Sequence, residues 1–360
     1  MDRSSSAETH VLRLQHAGCV RRAMAGAIIF GVIITPCLRP SLAMAAPTAQ
    51  EVLASLPFSD GEKQQILQGD LVTAAAKESS ERELAVAMAF LVKQPPADVV
   101  GLFRAAGGLK TDPMISGHGQ IKGEGSADDF KGLVLKPEGE KAARRYLDAK
   151  PGADLNLDTG EIAAFAALRA QNLSGAAAVE RVEEQLRSLL LARYKAYRAG
   201  GLSAIAPYDR GGSKRQAGEE LAQATEASKL MAQYAPAFHR VLLKYPQDKP
   251  AQFEEGFFWI NFNIDDQPTV ALTHRMSLPL GDGYIIADRH YYVSRSHNTV
   301  QAIAGVLPVS EGAVVFYANR TSTDQVGGFG SSAKRGIGTR IMAKQISETF
   351  EKLRKRGAGK

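Results

Sequence analysis

"TVALTHRMSLPLGDGYIIADRHYYVS", residues 269–294, decides the architecture. Two runs alternate apolar and polar residues with a period of two, and "PLGDG" between them supplies proline and glycine where a strand must end. Successive side chains of a β-strand point to opposite faces, so the stretch reads as an antiparallel hairpin. Neighbouring runs have the same character. "FEEGFFWINFNI" precedes it, and "NTVQAIAGVLPV" and "GAVVFYANRT" follow, each of strand length and bounded by Gly, Pro, Asp or Asn. Five mostly antiparallel strands are predicted.

Upstream the pattern is helical. Thr48-Ala49-Gln50-Glu51, Ser59-Asp60-Gly61-Glu62 and Asp158-Thr159-Gly160-Glu161 have the spacing of a capping box, in which the first and fourth side chains each satisfy a free backbone N–H of the other. A third helix is predicted over residues 80–93, and a fourth after Pro95-Pro96, ending near Gly107-Gly108. Residues 109–137 are glycine-rich and read as extended. A long helix is predicted over residues 176–199, where Val179, Val182, Leu186, Leu189, Leu190, Arg193 and Tyr197 recur at helical spacing. Helices resume after the loop "APYDRGGSKRQAG" and stop at Tyr245-Pro246. A closing helix, residues 334–356, carries Ile337, Ile341, Ile346, Phe350 and Leu353 as its apolar stripe, with Lys334, Arg335, Arg340, Lys344, Lys352 and Arg354 opposite. The fold class is α+β: a helical layer (46–108), a mostly helical region (109–250) and a curved antiparallel sheet of five strands closed by the long C-terminal helix (251–360).

That order of elements, with the glycine-rich turn in "TSTDQVGGFGSSAKRGIGTRIMAKQISETFEKLR", resembles the end of START-like, helix-grip proteins. The resemblance implies a helix lying across the sheet with an apolar ligand between them. The helical stretch from Glu140 to Tyr245 is longer than that family's helices. The chain as a whole resembles secreted bacterial proteins of unassigned function.

Residues 1–45 read as an exported leader. Arg21-Arg22 precede an uncharged run of 16 residues, "AMAGAIIFGVIITPCL", and Ala43-Met44-Ala45 presents small residues where signal peptidase reads. The expected location is periplasmic or secreted. Both cysteines, Cys19 and Cys37, fall in the leader, so no disulfide is expected after it. The chain has 44 basic and 38 acidic residues, of which the leader holds 5 and 2, leaving 39 and 36. So small an excess argues against nucleic acid as a partner. A peripheral contact with a membrane surface is compatible with it.

The chemistry-bearing residues concentrate in the hairpin. If Leu278 opposes Tyr284, then His274 faces Asp288 and the three groups His274, Asp288 and His290 cluster on the core side. Two imidazoles and a carboxylate suit a metal-assisted hydrolase, whereas a lone His–Asp pair suits a buried histidine finding its hydrogen bond. The leading expectation is a non-enzymatic protein that binds an apolar or amphipathic small molecule such as a lipid. Trp259, Leu272, Met276, Ile286, Tyr292 and Tyr317 would line the site, and His274 or His290 would anchor the ligand. A third reading is a non-catalytic envelope interaction protein. "GGFGSSAKR" lacks the Walker spacing, and no Gly-x-Ser-x-Gly, His-Glu-x-x-His or Gly-x-Gly-x-x-Gly is present, so no cofactor is expected. N-terminal sequencing of protein from the exporting host should begin at Ala46; an intact leader in the membrane fraction would refute cleavage.

Overall fold

The computed structural model describes residues 46–56, 58–104, 114–328 and 330–357. The leader, the end of the fourth helix at Gly107-Gly108 and the side chain of Leu353 lie outside the described residues. The helices are α1 (Ala49–Ser55), α2 (Asp60–Gln68), α3 (Pro96–Arg104), α4 (Glu140–Leu147), α5 (Thr159–Arg169), α6 (Gly175–Gly200), α7 (Ala217–Glu226), α8 (Lys229–Tyr234), α9 (Pro236–Lys244) and α10 (Ser331–Gly357). The strands are β1 (Val72–Ala75), β2 (Glu83–Val92), β3 (Ile115–Ile121), β4 (Tyr208–Asp209), β5 (Lys214–Arg215), β6 (Glu254–Ile264), β7 (Gln267–Leu280), β8 (Gly283–Val293), β9 (Thr299–Val309) and β10 (Gly312–Ser322). All three capping boxes form, at Thr48/Glu51, Ser59/Glu62 and Asp158/Glu161.

The five predicted strands are β6 to β10, and they make a meander. The sheet, however, has eight strands in the order β1-β2-β10-β9-β8-β7-β6-β3, all antiparallel and open at both edges. Of the three further strands, β1 and β2 come from the stretch read as a helical layer and β3 from the glycine-rich stretch read as extended. The largest correction is β2, whose "ELAVAMAFLV" was predicted as helix. Its Ala, Leu and Met favour helix locally, but an unbroken apolar run has no period to distinguish the two states. Pairing on both sides, with β1 and β10, and cover on both faces settle it as a strand. In β3 the glycines have a steric cause. A Cβ on Gly119 would lie 2.4 Å from Nε1 of Trp259, so the edge strand leaves room for the indole, which donates to the Asp129 carbonyl at 2.7 Å.

The sheet buries both faces against different partners. On one, Phe257, Trp259, Leu272, Tyr291 and Tyr292 pack against α4, α5 and α6; Met276, Ile285 and Ala287 pack against α8 and α9; and Ala89, Leu91, Val314 and Phe316 pack against α1 and α2. On the other, Met88, Phe90, Ile286, Val306 and Val315 meet Val99 and Val100 of α3 and Phe350 of α10. Phe350 lies 5.1 Å from the Phe90 ring and 4.9 Å from that of Tyr317.

The predicted stripe of α10 divides. Ile346 and Phe350 face the sheet, whereas Ile337 and Ile341 are 59% and 54% exposed. Nine residues separate Ile337 from Ile346, about two and a half turns, so they stand on opposite sides of the helix.

The 3-10 turn Gly201–Ala204 after α6 holds the helical layer together. Gly201 has φ +61°, and a Cβ there would lie 1.8 Å from the Tyr245 carbonyl oxygen. Gly201→Ala should therefore cost about 2–4 kcal/mol, from backbone strain and overpacking together. Gly175→Ala, at φ +59° but facing open space, should cost only about 1–2 kcal/mol. Urea unfolding of both variants checks the difference.

Candidate functional site

The hairpin turn is shorter than the sequence suggested. Leu280 pairs with Gly283, leaving Gly281 and Asp282 as a two-residue turn, and φ +60° at Gly281 suits the first position of a primed turn. Leu278 thus opposes Ile285, and His274 opposes Arg289 instead of Asp288. A one-residue slip sends every side chain of the partner strand to the other face. His274 lies toward the helical layer. Asp288 and His290 lie on the far face, where Asp288 accepts from Arg275 Nε and Nη2 at 2.8 and 2.9 Å. The proposed triad is not assembled, and among the described residues no three His, Cys, Asp or Glu side chains are grouped to hold a metal ion.

Beyond this point the ladder shifts. Thr273 pairs with His290 but Leu272 pairs with Tyr292, so Tyr291 is an extra residue in β8. Such a bulge re-aims side chains. Here it turns two consecutive tyrosines toward the helical layer, and both join the core cluster there.

Around His274 a chain of hydrogen bonds runs from a buried cation to a surface carboxylate. Arg289 is 0% exposed and donates to Gln301 Oε1 at 3.0 and 2.7 Å, to the Leu242 carbonyl at 2.9 Å and to the Tyr197 hydroxyl at 3.3 Å. A guanidinium only donates, so the Tyr197 oxygen accepts from it and its own proton goes to His274 Nδ1 at 3.1 Å. His274 Nε2–H then donates to Glu255 Oε2 at 2.9 Å, and Lys249 holds Oε1 at 2.7 Å. Aromatic rings enclose the chain. His274 stacks on Phe257 at 4.2 Å, and Tyr197 stacks on Tyr291 at 4.0 Å. Burial pulls His274 down to about 4, the Glu255 carboxylate offsetting part of that effect. For Glu255 burial acts upward, yet the hydrogen bonds from His274 and Lys249 prevail and hold it near 2. At neutral pH His274 is neutral and Glu255 ionised.

On the other side of Tyr291 a half-open cleft of about 190 Å³ lies between α6 and the bulge. Tyr291, Tyr292 and Ile205 border it, Ala192, Ala196, Ala204 and Ala206 leave the space, and Asp158, Glu161 and Arg193 stand at its polar side. Arg193 is bidentate to Glu161, at 2.7 and 2.6 Å, and its guanidinium lies 4.4 Å over the Tyr292 ring. Asp158 and Glu161 are further engaged in the cap of α5. By contrast the hydroxyls of Tyr291 and Tyr292 are buried and have no hydrogen-bond partner among the described residues. Burial raises the pKa of both well above its usual value, so each keeps its proton.

Of the expected lining residues, Tyr292 borders this cleft. Trp259, Leu272 and Met276 face the same layer but are packed into core, and Ile286, Tyr317 and His290 belong to the opposite face. His290 lies near His297, ring centroids 6.2 Å apart, with its Nδ1 buried and without a hydrogen-bond partner among the described residues. Glu255, Tyr197, Arg289, Arg193 and Tyr291 are not among the site residues expected from the sequence, where Arg193 and Tyr197 stand only as positions of a helical stripe. A signal existed for two of them: Arg193 interrupts an apolar helical stripe, and Arg289 shares a strand face with Ile285, Ala287 and Tyr291.

No family model, curated protein or solved structure matches this chain.

The lowered pKa of His274 makes stability depend on pH in one direction. The unfolded chain binds a proton near pH 6.5 that the folded chain refuses until about 4, so stability is unaffected above that window and falls as pH drops through it. The loss approaches about 1.4 kcal/mol per pH unit from this residue. The Glu255 contribution is present above pH 4.5 and is lost only as pH falls toward 2. His274→Gln should flatten the decline measured by urea unfolding between about pH 6 and 5 by that amount. Equal slopes for variant and wild type would show that His274 titrates normally.

Proposed function

We propose that this is an exported α+β binding protein whose cleft at the β8 bulge takes a small, neutral, largely apolar molecule bearing a hydrogen-bond acceptor. The observation that carries the reading is a cleft of about 190 Å³ bordered by Tyr291 and Tyr292, whose buried hydroxyls have no hydrogen-bond partner among the described residues. A buried polar group without a partner costs about 1–3 kcal/mol, and an acceptor on a guest recovers part of that. Cavities on the order of 150 Å³ take benzene-sized guests, while drug-sized ligands need roughly 300 Å³ or more. The volume therefore favours a single-ring or short-chain molecule over an acyl lipid. Charge selects in the same direction. Arg193 and Glu161 neutralise one another and Asp158 adds a carboxylate, so the cleft offers an anionic ligand no uncommitted cation among its lining residues. The helix-grip arrangement, with α10 over the second face of the sheet, remains part of the proposal as architecture, with the ligand placed on the helical-layer side. His274 faces away from Asp288 and His290, so the cluster that a metal-assisted hydrolase would use is not assembled.

Acetophenone, a neutral ring with one carbonyl acceptor, is the probe. Saturation-transfer NMR should detect its binding to wild type, and Ala196→Phe, at an exposed position of α6, should abolish it by filling the mouth. Tyr291→Phe and Tyr292→Phe, singly, should show which hydroxyl anchors the carbonyl through a loss of about tenfold, the worth of one hydrogen bond. Benzoate should bind more weakly. If acetophenone does not bind, and organic extraction of the purified protein yields no stoichiometric small molecule, the binding reading falls.

A further inference from the structure

The outer face of α10 combines exposed apolar side chains with concentrated positive charge. Ile337 and Ile341, at 59% and 54%, are the most exposed large apolar residues among those described, and they stand about one turn apart. Their orientation follows from the helix's close approach to β2. A Cβ on Gly338 would lie 2.9 Å from Leu84, so the glycine lets the helix settle there, and the row it begins, Gly338, Met342, Ile346 and Phe350, is the less exposed one. Ile337 and Ile341 are thereby turned to water. Lys334, Arg340 and Lys344 are exposed around them, and the first acid along the helix is Glu348, 3.9 Å from Lys344.

Charge is polarised on the scale of the chain as well. Of the 39 basic and 36 acidic residues after the leader, α10 holds 8 and 2. The remaining 31 basic and 34 acidic residues make the rest net negative. The positive charge of this protein is therefore a property of one helix.

We infer that α10 is a membrane-association helix that lays its outer face on an anionic lipid surface. Lipid headgroups complement the lysines and arginines, while the boundary between headgroups and acyl chains takes up the isoleucines, a combination that water does not offer. A nucleic acid would use the charges and leave the isoleucines without a partner. Among the described residues no helix is long and apolar enough to cross a bilayer, so this contact lies in the interface. With only two isoleucines on that face, the association is reversible and sensitive to salt.

The test uses the full chain and vesicles of phosphatidylcholine with and without phosphatidylglycerol. Residues 1–45 carry an apolar run and an excess of basic residues of their own, which contribute equally to wild type and to variants at α10, so two readouts specific to α10 are needed. The first is the salt-sensitive part of binding to the anionic vesicles, expected to fall by about tenfold or more in Ile337→Gln/Ile341→Gln. The second is local. The chain has one tryptophan, Trp259, which is 2% exposed, so the added fluorescence of Ile337→Trp reports its own surroundings. Its emission should shift to the blue on anionic vesicles and stay unchanged on phosphatidylcholine alone. No shift, or salt-sensitive binding that the double glutamine variant retains in full, overturns the inference. Duplex DNA bound equally by wild type and that variant, without the shift, would make α10 a polyanion site instead.

Discussion

A guanidinium with no exposed surface, that of Arg289, is the constraint on which the packing of this protein depends. Taking such a charge out of water costs several kcal/mol unless its donors are met. Among the described residues no carboxylate is hydrogen-bonded to it. Its partners are the side chain of Gln301 on β9, the Leu242 carbonyl at the end of α9, Tyr197 on α6 and, at 3.5 Å, Thr225 on α7. Three helices and a neighbouring strand must arrive together for the charge to be satisfied, so one set of hydrogen bonds positions the helical layer on the sheet. The nearest compensating charge along the chain of bonds is Glu255, reached through Tyr197 and His274. Because Arg289 can only donate to the Tyr197 oxygen, the Tyr197 proton goes to His274 Nδ1, and this settles the tautomer of His274. A network satisfied throughout is rigid, whereas one left partly open loses more than the bond removed.

That rigidity explains how the cleft persists beside it. Tyr291 stacks on Tyr197, so the extra residue in β8 is held by the same helix that serves Arg289. The bulge turns two tyrosines toward one layer, and small side chains on α6 and the following turn leave space in front of them. Among the described residues both hydroxyls stay unpaired, while the neighbouring Arg193 and Glu161 are paired with one another. Structure and chemistry thus differ within a few residues: the ion pair closes the helical layer, and the tyrosines retain hydrogen-bonding capacity that nothing in the described chain uses.

The two faces of the sheet divide the remaining roles. The helical-layer face carries the polar network and the cleft. The second face is covered in part by α3 and α10, and α10 spends its bulky inner residues, Ile346 and Phe350, on that contact. Gly338 keeps the start of the helix close to β2, and the closeness leaves Ile337 and Ile341 outside. A helix with one packed side and one basic, partly apolar side leaves charge and apolar surface exposed without enlarging the core.

Much of the local structure was legible in the sequence. The capping boxes at Thr48, Ser59 and Asp158, the long helix ending near Tyr197, and the strands from Glu254 to Ser322 follow from short-range periodicity and from which side chains satisfy free backbone groups. The sequence by itself thus determined an α+β chain with an antiparallel meander near its end. It could not place "ELAVAMAFLV" in the sheet, because a uniformly apolar run has no period and only its partners β1 and β10 make it a strand. Nor could it bring Glu255 to His274 or Tyr197 to Arg289. Alternation tells which residues of one strand share a face; which residue stands opposite depends on the length of the turn, and a two-residue turn at Gly281-Asp282 moved Asp288 away and put Arg289 in its place. The bulge at Tyr291 and the docking of α6 were decided by tertiary structure alone, because both depend on satisfying a buried charge with groups tens of residues distant along the chain.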